Sequence, residues 1–372
     1  MKVLILTASV GSGHVRAAQA VEAALRETRP DVDVEVLDVL SLANRAFRKM
    51  YGDGYLGLAG VAPDLIGYLY DVTDRPTCLP LAETVRTVAQ RLSLSGFARM
   101  LASRLPDVVL HTHFLPAELM AHLRRRGQTA VPHAVVVTDF HAHRLWAQLP
   151  CERFFVAADP TSASLKSRGV EPGAIRVTGI PVDPAFSEPR GRQRGERTLV
   201  LQLAGGSGIG PIEEIFDSLL KIRRPISVVV VTGRNEDARR RLVSRLKPTR
   251  HSVAILGFCD NMRELMAKAD LIVSKPGGLT VSESLALGVP LAAVSPIPGQ
   301  ETRNSAYLEA NGAGVKVPSP AAAGATVAAL LEEPRRLAAL RARALRLGRP
   351  RAAYDVAEAL LQLARPRLEA VL

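Results

Sequence analysis

The sequence predicts an α/β protein built from two doubly wound, Rossmann-like domains facing a cleft. Three observations carry this expectation. Short apolar runs alternate with helical patterns along the chain, two of those runs end in glycine-rich turns, and the second such unit starts near residue 199 of 372. Strand–helix alternation of this kind implies parallel sheets covered on both faces, and the length suits two cores better than one.

Taken in order, Val3 to Leu6 is a strand, Gly11-Ser12-Gly13-His14 a turn, and Val21, Ala24 and Leu25 the apolar face of a helix. Strands then recur at 34–37, 108–111, 134–138, 153–156 and 176–179. The second half repeats the opening, with Leu199 to Leu203 running into Gly205-Gly206-Ser207-Gly208-Ile209-Gly210 and further strands at 227–231, 253–256, 271–273 and 291–294. Domains are therefore expected at 1–184 and 198–350, joined by a linker at 185–197 that holds Arg190-Gly191-Arg192-Gln193-Arg194-Gly195. Ligands of open α/β sheets bind outside the carboxyl ends of the strands, which is where the two domains would face each other.

The most informative segment is Ser274-Lys275-Pro276-Gly277-Gly278-Leu279-Thr280, with Glu283, and then Gln300, Glu301 and Asn304. An apolar strand turns through two glycines into a helix start, where unpaired backbone N–H groups and the helix dipole favour a phosphate. Thr280 adds a hydroxyl. Glu283, one turn beyond Leu279, is suited to accept hydrogen bonds from a pair of sugar hydroxyls. Gln300, Glu301 and Asn304, on a loop bracketed by Pro298 and Gly299, are expected to read a further sugar. The series points to a nucleotide-sugar site. A Gly-Gly turn alone would equally suit a helix packed on a sheet.

The first half carries Thr138-Asp139-Phe140-His141-Ala142-His143-Arg144-Leu145-Trp146 at the end of a strand. Asp and His grouped at such an edge suit acid–base chemistry, or else a capping aspartate and two surface histidines. No Cys or acidic set completes a metal site there. The Gly11-Ser12-Gly13 turn resembles a dinucleotide fingerprint, with Glu35 or Asp38 for the ribose, but Arg16 stands where the third glycine belongs and opposes the close packing that motif requires. Nicotinamide chemistry is disfavoured on that ground.

Composition excludes several classes. The formal charge of +12 is uneven: residues 1–186 hold 20 Lys and Arg against 18 Asp and Glu, and residues 187–372 hold 28 against 18. With 4% aromatic residues and no aromatic–basic interleaving, nucleic acid is not an expected partner; anionic lipid or a diphosphate explains the sign as well. Cys78, Cys151 and Cys259 are odd in number and scattered, which argues against a disulfide framework and a zinc site. No apolar run is long enough to span a bilayer and Met1 leads straight into a strand, so a cytoplasmic location is expected.

The donor segment resembles that of GT-B glycosyltransferases of the monogalactosyldiacylglycerol synthase and UDP-N-acetylglucosamine transferase group. The likeness becomes close, over nearly the whole chain, to processive diacylglycerol glucosyltransferases and plant-type galactolipid synthases. By that resemblance Asp139, His143 and Trp146 match a TD-x-x-x-H-x-x-W run, with His143, Trp146 and Gly13 near the acceptor. His14 matches the glycine-loop histidine, and His14 or Asp139 would be the base. Gly206, Ser207 and Gly208 would face the donor, Phe258 to Met262 would read uracil, and Lys275, Gly277, Gly278 and Thr280 would hold the diphosphate. The resemblance also implies that a helix at 352–363 returns to the first domain. It implies inverting transfer of glucose or galactose from a UDP-sugar to a lipid hydroxyl, diacylglycerol first, without metal or cofactor, by an enzyme in peripheral contact with the inner face of the membrane. The irregular stretch 42–92, with Phe47, Tyr51, Tyr55, Tyr68, Tyr70, Arg45, Arg48 and Lys49, is a candidate for recruiting the lipid or, equally, for packing into the core. A UDP-sugar 2-epimerase, a transferase to a non-lipid acceptor and a non-catalytic UDP-sugar sensor remain as alternatives within the fold.

Overall fold

The computed structural model describes residues 1–42, 63–74, 95–188, 196–206 and 208–364. The expectations placed on Arg45, Phe47, Arg48, Lys49, Tyr51, Tyr55, the 190–195 run and Ser207 lie outside the described residues. Two compact units result, one formed by Met1–Pro184, Pro298–Gln300 and Arg351–Leu372, the other by Ala185–Ile297 and Glu301–Pro350.

The first unit contains β1 (Lys2–Thr7), α1 (Ser12–Thr28), β2 (Asp33–Asp38), α2 (Pro63–Asp74), α3 (95–104), β3 (Val108–His111), α4 (Phe114–Arg125), β4 (His133–Val136), β5 (Arg153–Val156), α5 (Asp159–Lys166) and β6 (Ile175–Val177). Its six strands run parallel in the order β2-β1-β3-β4-β5-β6. The chain goes to one side of β1 and then to the other, so the order reverses between β1 and β3. β1 forms because five of its six residues are apolar or small and buried between helices on both faces. Gly11, at φ +89, then supplies a left-handed turn that lets α1 start without a side-chain penalty.

The second unit continues with β7 (Leu199–Leu203), α6 (Ile212–Leu219), β8 (Ser227–Val231), α7 (Glu236–Arg245), β9 (Ser252–Leu256), α8 (Met262–Lys268), β10 (Leu271–Ser274), α9 (Gly278–Ala286), β11 (Leu291–Ala293), α10 (Gln300–Ala310), β12 (Gly314–Lys316), α11 (Ala323–Glu332) and α12 (Pro334–Leu347). The sheet order is β12-β11-β10-β7-β8-β9, with the reversal between β7 and β10. Val200, Val228, Val230, Leu271 and Val273 face Phe216, Leu219 and Val327 in one buried core.

The final helix, α13 (Ala352–Leu363), lies on the first unit. Ala353, Val356, Ala357 and Leu360 share a core with Ala18, Val21 and Leu25 of α1, and the Tyr354 hydroxyl donates to Glu27 at 2.7 Å. Alanines on both helices permit the close approach. Residues 185–188, expected in the linker, group instead with the second unit, where Arg263 donates to the Glu188 carbonyl at 2.7 Å. The strand β12 was not foreseen. It has three residues, and its Gly314 is required because a Cβ there would stand 2.5 Å from the Leu291 carbonyl oxygen.

Candidate active site

In each unit candidate residues lie at the carboxyl edge beside the reversal of strand order, the place where an open sheet leaves a crevice. In the first unit His14 occupies the first turn of α1, just after β1. Its Nδ1 lies 3.0 Å from the Thr112 carbonyl oxygen and 2.8 Å from the Thr138 hydroxyl. A carbonyl only accepts, so Nδ1 carries the proton and Nε2 keeps its lone pair. Although His14 retains some accessible surface, its enclosure lowers the imidazole pKa to about 4, a desolvation effect that the Thr112 carbonyl opposes. The ring is therefore neutral at neutral pH.

His113 stacks edge-on against His14 with centroids 4.6 Å apart, and its Nδ1 accepts from the Leu115 N–H at 3.0 Å, capping α4. Burial, and then the neighbouring His14, hold His113 well below the ordinary histidine range. Thr112, Thr138 and His113 had no assigned part in the site from sequence. The His-x-His spacing of His111 and His113 at the end of β3 was the available signal. Asp139 follows Thr138 in the bend after β4 and is half-buried, and Gly13 precedes His14 in the first turn of α1.

His143 and Trp146 are both held inside the first unit, His143 against α2 and Trp146 beside His14 and His113, with ring centroids 6.1 and 6.3 Å away. The His143 Nδ1 accepts from the Leu145 N–H at 3.1 Å, while its Nε2 lies 3.1 Å from the Tyr70 carbonyl and 3.2 Å from the Thr73 hydroxyl. Both nitrogens are engaged inside the protein. Trp146 is 3% exposed and meets Phe114 edge-to-face. Together with Asp74, which accepts from Arg168 at 2.7 and 2.9 Å and from the Arg144 N–H at 2.8 Å, His143 fastens α2 to the loop after β4. Burial pushes the Asp74 carboxyl up, but the Arg168 and Arg144 donors outweigh it and hold the group below its usual range. Asp74→Ala is expected to strand the largely buried Arg168 guanidinium, costing about 3 kcal/mol and lowering Tm by roughly 6–12 °C, which thermal unfolding would measure.

In the second unit the loop after β7 and the turn after β10 flank the reversal. Gly208, at φ +61, could bear no side chain: a Cβ would stand 2.3 Å from the Thr232 carbonyl oxygen. The Gly206 carbonyl accepts from the Arg234 N–H at 3.3 Å, and Asn235, the cap of α7, donates to the Gly208 carbonyl at 2.7 Å. The loop is thus held by α7. After β10, Gly277 caps α9 with no side chain on its N-terminus and no acidic residue in the first turn. A Cβ on Gly277 would find only the Glu301 Oε1, at 3.6 Å, so the space over this helix end is open. Gly278 is the first helical residue, Thr280 is half-buried, and Glu283 is a buried carboxylate one turn further along the same helix.

Lys275 comes within reach of both elements, its Cδ 4.0 Å from the position a Cβ on Gly210 would take. Phe258 is 52% exposed with the Arg234 guanidinium 5.3 Å over its ring, and half-buried Met262 begins α8. The residues expected on a loop are instead the first turns of α10, because Gly299 at φ +99 makes the turn and Gln300 starts the helix. Asn304 is fully buried and donates to the Pro276 carbonyl at 3.1 Å, which fastens the glycine turn. The Glu301 carboxylate accepts from the Ile297 N–H at 2.7 Å; desolvation raises its pKa while Lys275 opposes the rise. Gln300 groups with the first unit.

Residues 14–182 match the family model of monogalactosyldiacylglycerol synthase, and residues 212–344 match the glycosyltransferase family 28 C-terminal domain. A processive diacylglycerol beta-glucosyltransferase of Bacillus thuringiensis (strain Al Hakam) is 28% identical over 371 residues, covering 97% of this chain and 93% of its own. The chain is a glycosyltransferase whose first half carries the monogalactosyldiacylglycerol synthase domain and whose second half carries the glycosyltransferase family 28 C-terminal domain. Its two α/β units have the GT-B fold. MurG of Acinetobacter baumannii aligns with this glycosyltransferase at TM-score 0.64 and 18% identity over 97% of this chain and 99% of its own. The UDP-GlcNAc 2-epimerase of Neisseria meningitidis, bound to UDP-GlcNAc, aligns at TM-score 0.61 and 16% identity over 97% of this chain and all of its own. At those identities both structures speak for the fold alone.

Proposed function

We propose that this glycosyltransferase moves glucose from UDP-glucose to the hydroxyl of diacylglycerol, with direct attack at the anomeric carbon and inversion of its configuration. The observation that carries the reading is the uncapped, glycine-built N-terminus of α9 beside the β7–β10 reversal. Its N–H groups suit a diphosphate, and Glu283 suits the ribose hydroxyls that lie next to one. The related Bacillus protein is named for glucose and diacylglycerol, which favours glucose over galactose and a lipid over other acceptors. Action on such a lipid implies work at a membrane surface, with the inner face of the cell membrane as the site; among the described residues no helix is long and apolar enough to cross a bilayer.

Three things must happen in the transfer. The acceptor hydroxyl loses a proton, its oxygen bonds to the anomeric carbon, and the bond from that carbon to the diphosphate breaks. His14 is poised for the first step, because Thr112 and Thr138 hold the Nδ1 proton and leave Nε2 as the acceptor. Asp139, next to Thr138 in the chain, is the other candidate for the base. The departing UDP gathers negative charge at the α9 N-terminus, where preorganised N–H donors and Lys275 stabilise it. No residue of the protein is modified.

Radiolabelled UDP-glucose and UDP-galactose, each offered with diacylglycerol vesicles, test the reading. Labelled monoglucosyl lipid in the extract is expected. Label confined to a free epimerised nucleotide sugar, or transfer only to water-soluble acceptors, would exclude it.

A further inference from the structure

A half-buried carboxylate stands over the helix end on which the proposed diphosphate site is built. The Glu301 Oε1 lies 3.6 Å from the position a Cβ on Gly277 would take, beside the turn where α9 begins. The first backbone bond of α9 runs from the Val281 N–H to the Gly277 carbonyl at 2.9 Å, so the N–H groups of Gly278, Leu279 and Thr280 are those a helix start leaves for a ligand. The carboxyl is held in place. The Ile297 N–H donates to its Oε2 at 2.7 Å, and Glu301 belongs to the first turn of α10. The glycine turn opposite is fixed as well, because buried Asn304 donates to the Pro276 carbonyl at 3.1 Å. Charged side chains on the elements around the carboxyl are Lys275 before α9, Glu283 within it and Arg303 on α10. Of these Lys275 acts on Glu301 and favours the carboxylate. Although Glu301 keeps some accessible surface, enclosure by the protein disfavours its charge more strongly and raises its pKa.

A diphosphate oxygen that reaches those N–H groups lies at the same turn as Oε1, and two anionic oxygens repel there unless a proton lies between them. The ligand's charge adds to the enclosure that already weighs against the carboxylate, with Lys275 as the opposing cation. We propose that binding of a nucleoside diphosphate sugar draws a proton from solvent onto Glu301, and that the neutral carboxyl then donates from Oε1 to the ligand while Oε2 keeps the Ile297 N–H. A carboxylic acid can do both, having an O–H donor and an acceptor oxygen. Donor binding is thereby coupled to protonation. Affinity falls as the pH rises through the interval between the free and the ligand-bound pKa of Glu301, by about tenfold per pH unit. The inference rests on the diphosphate site proposed at α9 and adds a protonation state to it. It acts on the donor alone, so with UDP-glucose saturating, the pH dependence of kcat/KM for the acceptor still reports His14.

The test is calorimetric titration of the full chain with UDP-glucose, without acceptor, from about pH 5, just above the ordinary glutamate range, to about 8.5. Each pH is run in two buffers of different ionisation heat, which counts the protons taken up. UDP-glucose serves better than UDP, whose terminal phosphate itself ionises near pH ~6. Uptake close to a full proton is expected within this range, where Kd rises about tenfold per pH unit. Glu301→Gln keeps an acceptor oxygen for the Ile297 N–H and a donor toward the ligand. It should lose the uptake, bind with little pH dependence and, at the upper end of the range, hold UDP-glucose at least tenfold more tightly than the wild-type chain. Lys275→Met should move the uptake to higher pH, because it removes the charge that opposes protonation. A Tm taken beside each titration follows the folded fraction. Equal uptake by wild-type and Glu301→Gln chains, no uptake across the range, or weaker binding by the amide at every pH would overturn the proposal and leave the diphosphate site in place. A folded wild-type chain that ignored UDP-glucose would overturn the site, and the proposal with it.

Discussion

His14→Ala is expected to lower kcat by roughly 10²–10⁴, the usual contribution of a positioned base, while leaving UDP affinity unchanged. The reason lies in a division of labour between the two ring nitrogens. Thr112 and Thr138 occupy Nδ1, which fixes the tautomer and turns Nε2 into the group that receives a proton. Because burial lowers the imidazole pKa to about 4, the base is already unprotonated at neutral pH. Its kcat/KM should stay level as the pH falls from 7 and decline only as the pH passes through about 4. A decline centred near 6.5, the ordinary histidine value, would show that the imidazole is not desolvated in the working enzyme. If His14→Ala retained wild-type turnover and Asp139→Ala lost it, the base would be the aspartate.

Stability must be followed alongside, since the same burial acts on the fold. Desolvation lowers the folded-state pKa of His14, His111, His113 and His133. Their stabilising contribution is complete above the unfolded value near 6.5. Between that pH and the folded values the unfolded chain binds more protons, so stability falls as the pH falls. Rates below pH 5 therefore require a parallel measurement of the folded fraction.

The sequence made the β7 and β10 glycine turns visible because a phosphate-binding edge demands a strand, a turn free of Cβ atoms and a helix start in that order. Apolar alternation likewise exposed nearly every central strand. Three features escaped for physical reasons. β12 is Gly-Val-Lys, with one aliphatic side chain between a glycine and a lysine, so it offers no apolar run to read. The 300–310 helix has a weakly apolar face and starts beside Pro298 and Gly299, which read as loop. The different duties of His14 and His143 depend on which distant atoms meet their nitrogens. Thr112 and Thr138 are 98 and 124 residues from His14, and Tyr70 is 73 residues from His143. Asn304 shows the same effect, since its buried bond to Pro276 gives it a supporting task that residue type alone does not distinguish from sugar recognition.

Gly277→Val should separate ligand binding from folding more sharply than any substitution of a charged residue. Gly277 sits at φ −62 and ψ 145, a conformation open to every L-residue, and a Cβ there would contact the Glu301 Oε1 at 3.6 Å without collision. The fold has room for the Cβ of the new side chain, and the poorer helix cap costs about 1 kcal/mol. A diphosphate at the α9 N-terminus does not have that room, because it must approach the backbone N–H groups within hydrogen-bond distance. Losing two charge-assisted bonds at about 1.5 kcal/mol each would weaken UDP binding roughly 100-fold, readable by calorimetry, with Tm nearly unchanged. Gly208→Ala provides the contrast: its Cβ would stand 2.3 Å from the Thr232 carbonyl at φ +61, so stability and UDP affinity should fall together. Wild-type UDP affinity in a folded Gly277→Val chain would move the diphosphate away from α9, and with it the assignment of Thr280 and Glu283.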